Sequence, residues 1–132
     1  MRSLEIKSRQ RNEFIDITDK IRDIVTEAGV GSGICYIFVP HTTAGVTINE
    51  GADVSVQHDI QNALSRLLPE EGDYTHREGN ADAHAKAALT GVSQIVFIDE
   101  GRPLLGRWQA IYFCEFDGPR HRRVVVKIVE TS

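Results

Sequence analysis

The stretch RWQAIYFCEF, Arg107–Phe116, decides the fold of this chain. Its β-branched and aromatic residues favour a strand, in which side chains alternate between the two faces. One face carries Trp108, Ala110, Tyr112, Cys114 and Phe116, and the other carries Gln109, Phe113 and Glu115. Because apolar side chains occur on both faces, we expect a strand that is covered on both sides, with Trp108 in the core.

Six further segments have the residue pattern of strands. They are Ser3–Ser8, Glu13–Ile17, Gly33–Val39, Gly45–Asn49, Ser93–Ile98 and His121–Glu130. These strands follow one another along the chain at its start, middle and end, and strands that are neighbours in sequence usually pair in antiparallel fashion. We therefore expect a mainly antiparallel sheet structure of seven strands.

Three segments have apolar residues at helical spacing. They are Thr18–Ala28, Asp53–Leu68 and an Ala-rich segment that begins at Asn80 or Asp82 and runs to Leu89. Gly29 and Pro69 end the first two, because neither residue continues a helix well. Strands grouped apart from helices predict an α+β protein, and 132 residues suffice for a single domain over 1–132.

Composition excludes several classes of function. The chain has 15 Lys and Arg against 19 Asp and Glu, a net charge of -4, which argues against nonspecific binding to nucleic acid or an anionic membrane. The longest apolar run, Ile34–Pro40, is too short to span a membrane. No apolar export segment follows Arg2, so we expect a cytoplasmic protein.

Two groups of reactive or charged residues are expected to be structural. Cys35 and Cys114 lie within predicted strands, and in a reducing compartment we expect both thiols to be unpaired and buried. Arg120, Arg122 and Arg123 form a basic cluster beside the last strand, which we interpret as a solvated strand edge.

Three histidines lie where side chains can converge on a cleft. His41 follows a strand, His76 lies in a polar loop and His84 lies on the Ala-rich helix. Imidazole is a preferred zinc ligand, and a catalytic zinc centre commonly has three protein ligands and one open position. The alternative is that these residues have only polar loop and cap roles, because the spacing of His76 and His84 matches no metal-binding signature.

Carboxylates and amides are dense in the same segments. Glu50 directly follows a predicted strand, where a rigid backbone could aim it as a general base, and Asp59 and Asp82 lie on the second and third helices. Asn49 and Asn80 accompany them. The alternative is that Asp59 is solvated and that Asn80 or Asp82 only caps a helix.

Strands with two apolar faces in so small a domain also suggest that another copy of the chain covers part of the sheet. We therefore expect a homo-oligomer.

The residues together resemble the YjbQ family, named secondary thiamine-phosphate synthases. The resemblance extends over nearly the whole chain and is tightest in four blocks. These are His41–Glu50 (HTTAGVTINE), Asn80–His84 (NADAH), Ser93–Gly101 continuing to Leu105–Ile111 (LGRWQAI), and Glu115–Val124 (EFDGPRHRRV). One departure is Arg107, which stands where the family usually has Thr.

The resemblance implies a small antiparallel β-sandwich with three helices that assembles as a homotrimer. It implies that His41, His76 and His84 converge as a polar site able to bind a divalent metal, with zinc favoured over magnesium by the three imidazoles. Acid–base and ligand-contacting residues are then expected near them, namely Glu50, Asp59 and Asp82, with Asn49, Asn80, Gln109 and Arg120.

The activity that the family name implies joins a hydroxymethylpyrimidine diphosphate to a thiazole phosphate with release of pyrophosphate, so the expected ligand is a small phosphorylated or anionic molecule. Two alternatives stay open. One is a zinc-dependent hydrolase of a small phosphate or acyl compound with Glu50 as base, and the other is a module that binds an anion without turning it over.

Overall fold

The computed structural model describes all 132 residues, Met1–Ser132. The strands are β1 (Arg2–Lys7), β2 (Glu13–Asp16), β3 (Gly33–Phe38), β4 (Ala44–Glu50), β5 (Ser93–Asp99), β6 (Arg102–Pro103), β7 (Gln109–Glu115) and β8 (His121–Glu130). The helices are α1 (Thr18–Ala28), α2 (Val54–Leu67) and α3 (Ala81–Thr90). No helix is both long enough and apolar enough to cross a membrane.

The strands form two antiparallel sheets. The larger sheet has the order β1-β8-β3-β5-β6 and the smaller has the order β2-β7-β4. The predicted α+β class, the antiparallel pairing and the three helices are thus confirmed. The prediction of seven strands was wrong by one, because the two-residue strand β6 pairs with the end of β5 and is too short to show a sequence pattern.

The central strand β7 is covered on both faces, as its pattern predicts. Ile111 and Phe113 belong to the large core that lies between the two sheets and α1. On the opposite face Ala110, Tyr112, Cys114 and Phe116 pack with Ala83 and Ala87 of α3. The chain's own helix therefore covers this strand, and no second copy is required for it.

Trp108 is not in the core. The strand begins only at Gln109, and the Trp108 side chain is 56% exposed, with the Arg107 guanidinium 4.8 Å above its ring. The expectation failed because the alternation of β7 does not extend back to residue 108.

The outer face of the larger sheet remains apolar and uncovered. Tyr36, Phe38, Ile95 and Phe97 alternate with core residues of β3 and β5, and they are 41–59% exposed. Tyr36 lies directly opposite Ile95 in the sheet register, so the exposed side chains are neighbours. We call these four residues the outer apolar face.

Both thiols are buried and unpaired, which confirms their predicted state. Burial raises the pKa of Cys35 to about 11 and that of Cys114 further. Both therefore stay protonated at neutral pH and behave as small apolar side chains.

One buried ion pair joins the two sheets. Glu115 is the last residue of β7 in the smaller sheet, and Arg122 is the second residue of β8 in the larger one. The Arg122 guanidinium donates two hydrogen bonds to the Glu115 carboxylate, and it also donates to Thr43 Oγ1 at 2.9 Å. Ser8 Oγ donates to Glu115 Oε1 at 2.6 Å and accepts the backbone N–H of Arg120.

The pair is almost dry, since Glu115 is fully buried and Arg122 is 6% exposed. Burial acts to raise the pKa of Glu115, but the hydrogen bonds from Arg122 and Ser8 outweigh it and hold that pKa below its usual value. The stabilisation from this ionised group is therefore complete above the ordinary Glu pKa, and it is lost as the pH falls through the lowered value.

We predict that Arg122→Leu lowers the free energy of unfolding by about 3–5 kcal/mol, because it leaves the buried Glu115 carboxylate without a counter-charge. Urea unfolding at neutral pH measures this change. The matched control is Arg2→Leu, which removes the exposed pair of Arg2 with Glu27 and should cost less than about 1 kcal/mol. Equal losses in the two variants would contradict the central role of the buried pair.

Candidate functional site

The largest cavity lies where three segments meet beyond the ends of strands. Residues 38–43 comprise the end of β3 and the segment after it, α3 contributes one face, and residues 117–120 belong to the connection from β7 to β8. The cavity has a volume of about 910 Å³ and is open to the surface. This volume is ample for a small molecule.

The cavity lining contains both apolar and polar side chains. The apolar side chains are Phe38, Val39, Pro40, Ala87, Ala88 and Val92. The polar groups include His41, Asn80, His84, Asp117, Arg120 and Arg122. A ligand bound here would therefore meet apolar surface as well as hydrogen-bonding groups.

His41 is held by the main chain of β8. Its Nε2 accepts a hydrogen bond from the backbone N–H of Arg123 at 3.1 Å. Burial and the neighbouring Arg122 charge lower the pKa of His41, although Glu115 acts in the opposite direction. An N–H pointing at Nε2 further disfavours the protonated ring, because only an unprotonated nitrogen can accept it. His41 is therefore neutral at physiological pH.

His84 and His76 lie beside each other near the cavity. Their ring centroids are 5.1 Å apart in an edge-to-face arrangement, and His76 Nε2 lies 3.9 Å from the Glu78 carboxylate. His84 lines the cavity with His41, whereas His76 and His84 also border a shallow depression outside it. His84 thus lies beside His76 and lines the same cavity as His41.

The three imidazoles do not form a metal site within one chain. No group of three or more His, Cys, Asp or Glu side chains is arranged to hold a metal ion. In addition, one ring nitrogen of His41 is occupied by the Arg123 N–H. The donor set of a single chain does not fit a three-histidine zinc centre, and the zinc site stays a prediction.

Arg120 and Asn80 are linked through one carboxylate oxygen. Asp117 Oδ2 accepts a hydrogen bond from Arg120 Nη2 and another from Asn80 Nδ2, both at 2.9 Å. Burial acts to raise the pKa of Asp117, but the hydrogen bonds from Asn80 and Arg120 outweigh it, so the pKa lies below its usual value. The carboxylate therefore stays ionised and fixes the directions of both neighbouring side chains.

The backbone around Gly118 holds this loop close to the first strands. Gly118 N donates to the carbonyl of Arg11, and a Cβ at position 118 would clash with the carbonyl of Gln10. Glycine is required here because the two backbones approach too closely for a side chain. Arg120 is consequently presented from a rigid loop.

The cavity has no excess of positive charge, because Arg120 lies beside Asp117, Arg122 lies beside Glu115, and the Glu78 carboxylate also belongs to the lining. The site therefore cannot attract an anion through a large excess of positive charge. It can instead recognise acceptor atoms through N–H groups with fixed directions. Beside them, the neutral imidazole of His41 can donate a hydrogen bond, and the imidazole of His84 also lines the cavity.

The structure does not bring Asn49, Glu50 and Gln109 to this cavity. They lie at the far end of the smaller sheet, where Glu50 pairs with Gln109. The seven residues of β4 separate that end from Ala44 by about 20 Å. Glu50 there accepts the backbone N–H groups of Ala52 and Asp53 and shapes the turn that precedes α2.

The two helical aspartates also lie outside the cavity lining. Asp82 is fully buried and forms ion pairs with Lys86 at 3.0 Å and Arg11 at 2.9 Å, so its carboxylate is already engaged. Asp59 lies on an exposed part of α2. Of the predicted site residues, His41, Asn80, His84 and Arg120 therefore line the cavity.

Three residues of the site were missed or misread from sequence. Arg122 was interpreted as a solvated edge residue. Because side chains alternate along β8, however, Arg122 lies on the same buried face as Val124 and Val126. That alternation was a signal for an inward arginine. Thr43 and Asp117 carried no comparable signal, because their roles depend on contacts made only in the folded chain.

Comparison with known proteins finds one family that matches nearly the whole chain. A family model described as UPF0047 protein YjbQ-like matches residues 2–131. A UPF0047 protein of Methanocaldococcus jannaschii is 55% identical, with 95% of this chain and 91% of that protein covered. The UPF0047 protein YugU of Bacillus subtilis is 45% identical, with 98% of both chains covered.

Solved structures agree with this result. A crystal structure of an uncharacterized conserved protein of the yjbq/upf0047 family from Clostridium acetobutylicum superposes with a TM-score of 0.96 at 50% identity, covering 98% of this chain and all of that one. A protein of unknown function from Sulfolobus solfataricus gives 0.94 at 32% identity, covering 98% and 96%. Sequence and fold together show that the chain belongs to the YjbQ-like UPF0047 family.

Proposed function

We propose that the cavity between residues 38–43, α3 and the β7–β8 loop binds a small phosphorylated or otherwise anionic molecule. The observation that carries this proposal is the convergence of two imidazoles and two arginines on one cavity, at His41, His84, Arg120 and Arg122. Rigidly held N–H donors of this kind stabilise phosphate oxygens without a net positive charge. Apolar lining residues such as Phe38 and Pro40 would contact the uncharged part of the ligand.

The reaction proposed for this site is the group transfer that the family resemblance implies. The ring nitrogen of a thiazole phosphate would form a bond to the methylene carbon of a hydroxymethylpyrimidine diphosphate, while the bond from that carbon to the diphosphate oxygen breaks and releases pyrophosphate. Arg120 would stabilise the charge that develops on the leaving pyrophosphate, and His84 would donate a proton to it. His84 suits this role because neither ring nitrogen makes a hydrogen bond within the chain.

A zinc-dependent hydrolase with Glu50 as base receives less support. Glu50 lies about 20 Å along β4 from the cavity end, and one chain does not assemble three metal ligands. The binding proposal therefore uses only hydrogen-bond donors that the chain itself supplies.

We predict that Arg120→Ala weakens the binding of pyrophosphate about ten- to a hundredfold, because it removes a charge-assisted hydrogen bond to the anion. Isothermal titration calorimetry of the full chain measures the affinity. The matched control is Arg66→Ala, which removes an exposed arginine from the last turn of α2. Equal effects of the two variants would show that the cavity is not the binding site.

We predict that His84→Ala lowers the turnover of thiamine phosphate formation about a hundredfold or more, because proton transfer in the transition state is lost. Product formation from the two phosphorylated substrates measures this rate. The control is His58→Ala, which changes an exposed histidine on α2 and should leave the rate unchanged. Undiminished turnover in His84→Ala would refute the acid–base role, and no turnover in the unmodified chain would refute the reaction.

We also propose that the chain forms a homotrimer through the outer apolar face. The four exposed side chains of this face form one contiguous patch, and such patches on small proteins commonly mark an interface. Phe38 belongs both to this face and to the cavity wall, so a neighbouring copy would lie close to the bound ligand.

We predict that light scattering at micromolar concentration gives a molar mass of three chains. The double variant Phe97→Glu with Ile95→Lys should give the mass of a monomer, because charges on the patch oppose association. The control variant Glu5→Lys changes an exposed residue of the same sheet without touching the patch. A monomeric unmodified chain would contradict the proposal.

A further inference from the structure

The end of β3 leaves one backbone donor of β8 without a strand partner. Phe38 pairs with Val125, and continuing this register would place Pro40 opposite Arg123. Strand β3 ends at Phe38, so no backbone carbonyl of β3 reaches the Arg123 N–H. The His41 side chain takes that place, with its Nε2 accepting the Arg123 N–H at 3.1 Å.

This hydrogen bond determines where the proton of His41 lies. A nitrogen that accepts a hydrogen bond from an N–H carries no proton itself, so Nε2 is unprotonated. A neutral imidazole has a single N–H, which must therefore be on Nδ1. A proton added at Nε2 would face the Arg123 N–H, so the ring is restricted to this neutral form while the backbone contact persists.

Nδ1 is the free nitrogen of this ring. It makes no hydrogen bond within the chain, although the His41 side chain is only partly exposed and lines the cavity. His41 therefore brings to the cavity lining a ring whose orientation and protonation are set by the main chain of β8, with an N–H donor at Nδ1 that has no partner within the chain. Such a group can bind only an acceptor.

We propose that His41 is a fixed hydrogen-bond donor that recognises an acceptor oxygen of the bound anion through Nδ1–H, and that the Arg123 peptide is its positioning group. This proposal rests on the proposed function of the cavity and adds a role for each nitrogen. His41 then serves neither as a general base nor as a metal ligand, because its only lone pair is used by the backbone. Proton transfer is left to His84.

Two substitutions of His41 distinguish the roles of its two ring nitrogens. The amide nitrogen of Asn occupies nearly the position of Nδ1, whereas the amide of Gln reaches nearly to Nε2. With pyrophosphate as the probe, we expect His41→Asn to bind only about threefold to fivefold more weakly than the unmodified chain, because it keeps a donor at the Nδ1 position but loses the positioning contact with the Arg123 N–H. We expect His41→Gln to bind about tenfold or more weakly, because its donor does not lie at the Nδ1 position. His58→Asn on exposed α2 is the control and should bind normally.

The tautomer is measured without any substitution. Long-range ¹H–¹⁵N spectra of the ¹⁵N-labelled full chain at neutral pH distinguish the two neutral forms of each histidine. We expect His41 to be protonated at Nδ1, with Nε2 showing the chemical shift of an unprotonated nitrogen.

A proton on Nε2 would overturn the inference, as would equal pyrophosphate affinities of the Asn and Gln variants. These results leave the binding proposal intact if the unmodified chain binds pyrophosphate. Absence of pyrophosphate binding in the unmodified chain would instead overturn the proposed function, and the donor role with it, even if the Nδ1–H tautomer is observed.

Discussion

The buried pair of Glu115 and Arg122 is the interaction on which the arrangement of this molecule depends. It joins the last residue of β7 to the second residue of β8, and these strands belong to different sheets. The same carboxylate and guanidinium also form hydrogen bonds with Ser8 and Thr43, so four separate segments of the chain meet at one buried polar cluster. A buried charge pair of this kind requires its partners in defined positions, because each unpaired group would carry a large desolvation penalty.

The cavity is a consequence of that constraint. Thr43 fixes the segment after β3 that carries His41, and Ser8 fixes the backbone of Arg120. Asp117 then orients both Arg120 and Asn80. His41, Arg120 and Asn80 are thus each held by a neighbouring group before any ligand arrives. Under the proposed function, this preorganisation limits the rearrangement needed for anion binding and compensates for the absence of a large net positive charge at the site.

Sequence patterns predicted the fold well because they depend on local periodicity. The alternation in β7 correctly predicted a strand covered on both faces, and the three helices followed from apolar spacing. The site was predicted only in part. His41 and Glu50 are close in sequence and belong to one motif, yet β4 carries them to opposite ends of a sheet. Arg122 was misread because a charged residue beside other arginines resembles a solvated edge, and its buried partner Glu115 becomes evident only when two sheets pack.

The central claim is that small phosphorylated anions bind in the cavity formed by residues 38–43, α3 and the β7–β8 loop. A crystal structure of the protein with bound pyrophosphate tests this claim most directly. The account predicts pyrophosphate density within hydrogen-bond distance of His41 Nδ1 and the Arg120 guanidinium. Pyrophosphate bound instead at the far end of the smaller sheet, beside Glu50 and Trp108, would contradict it.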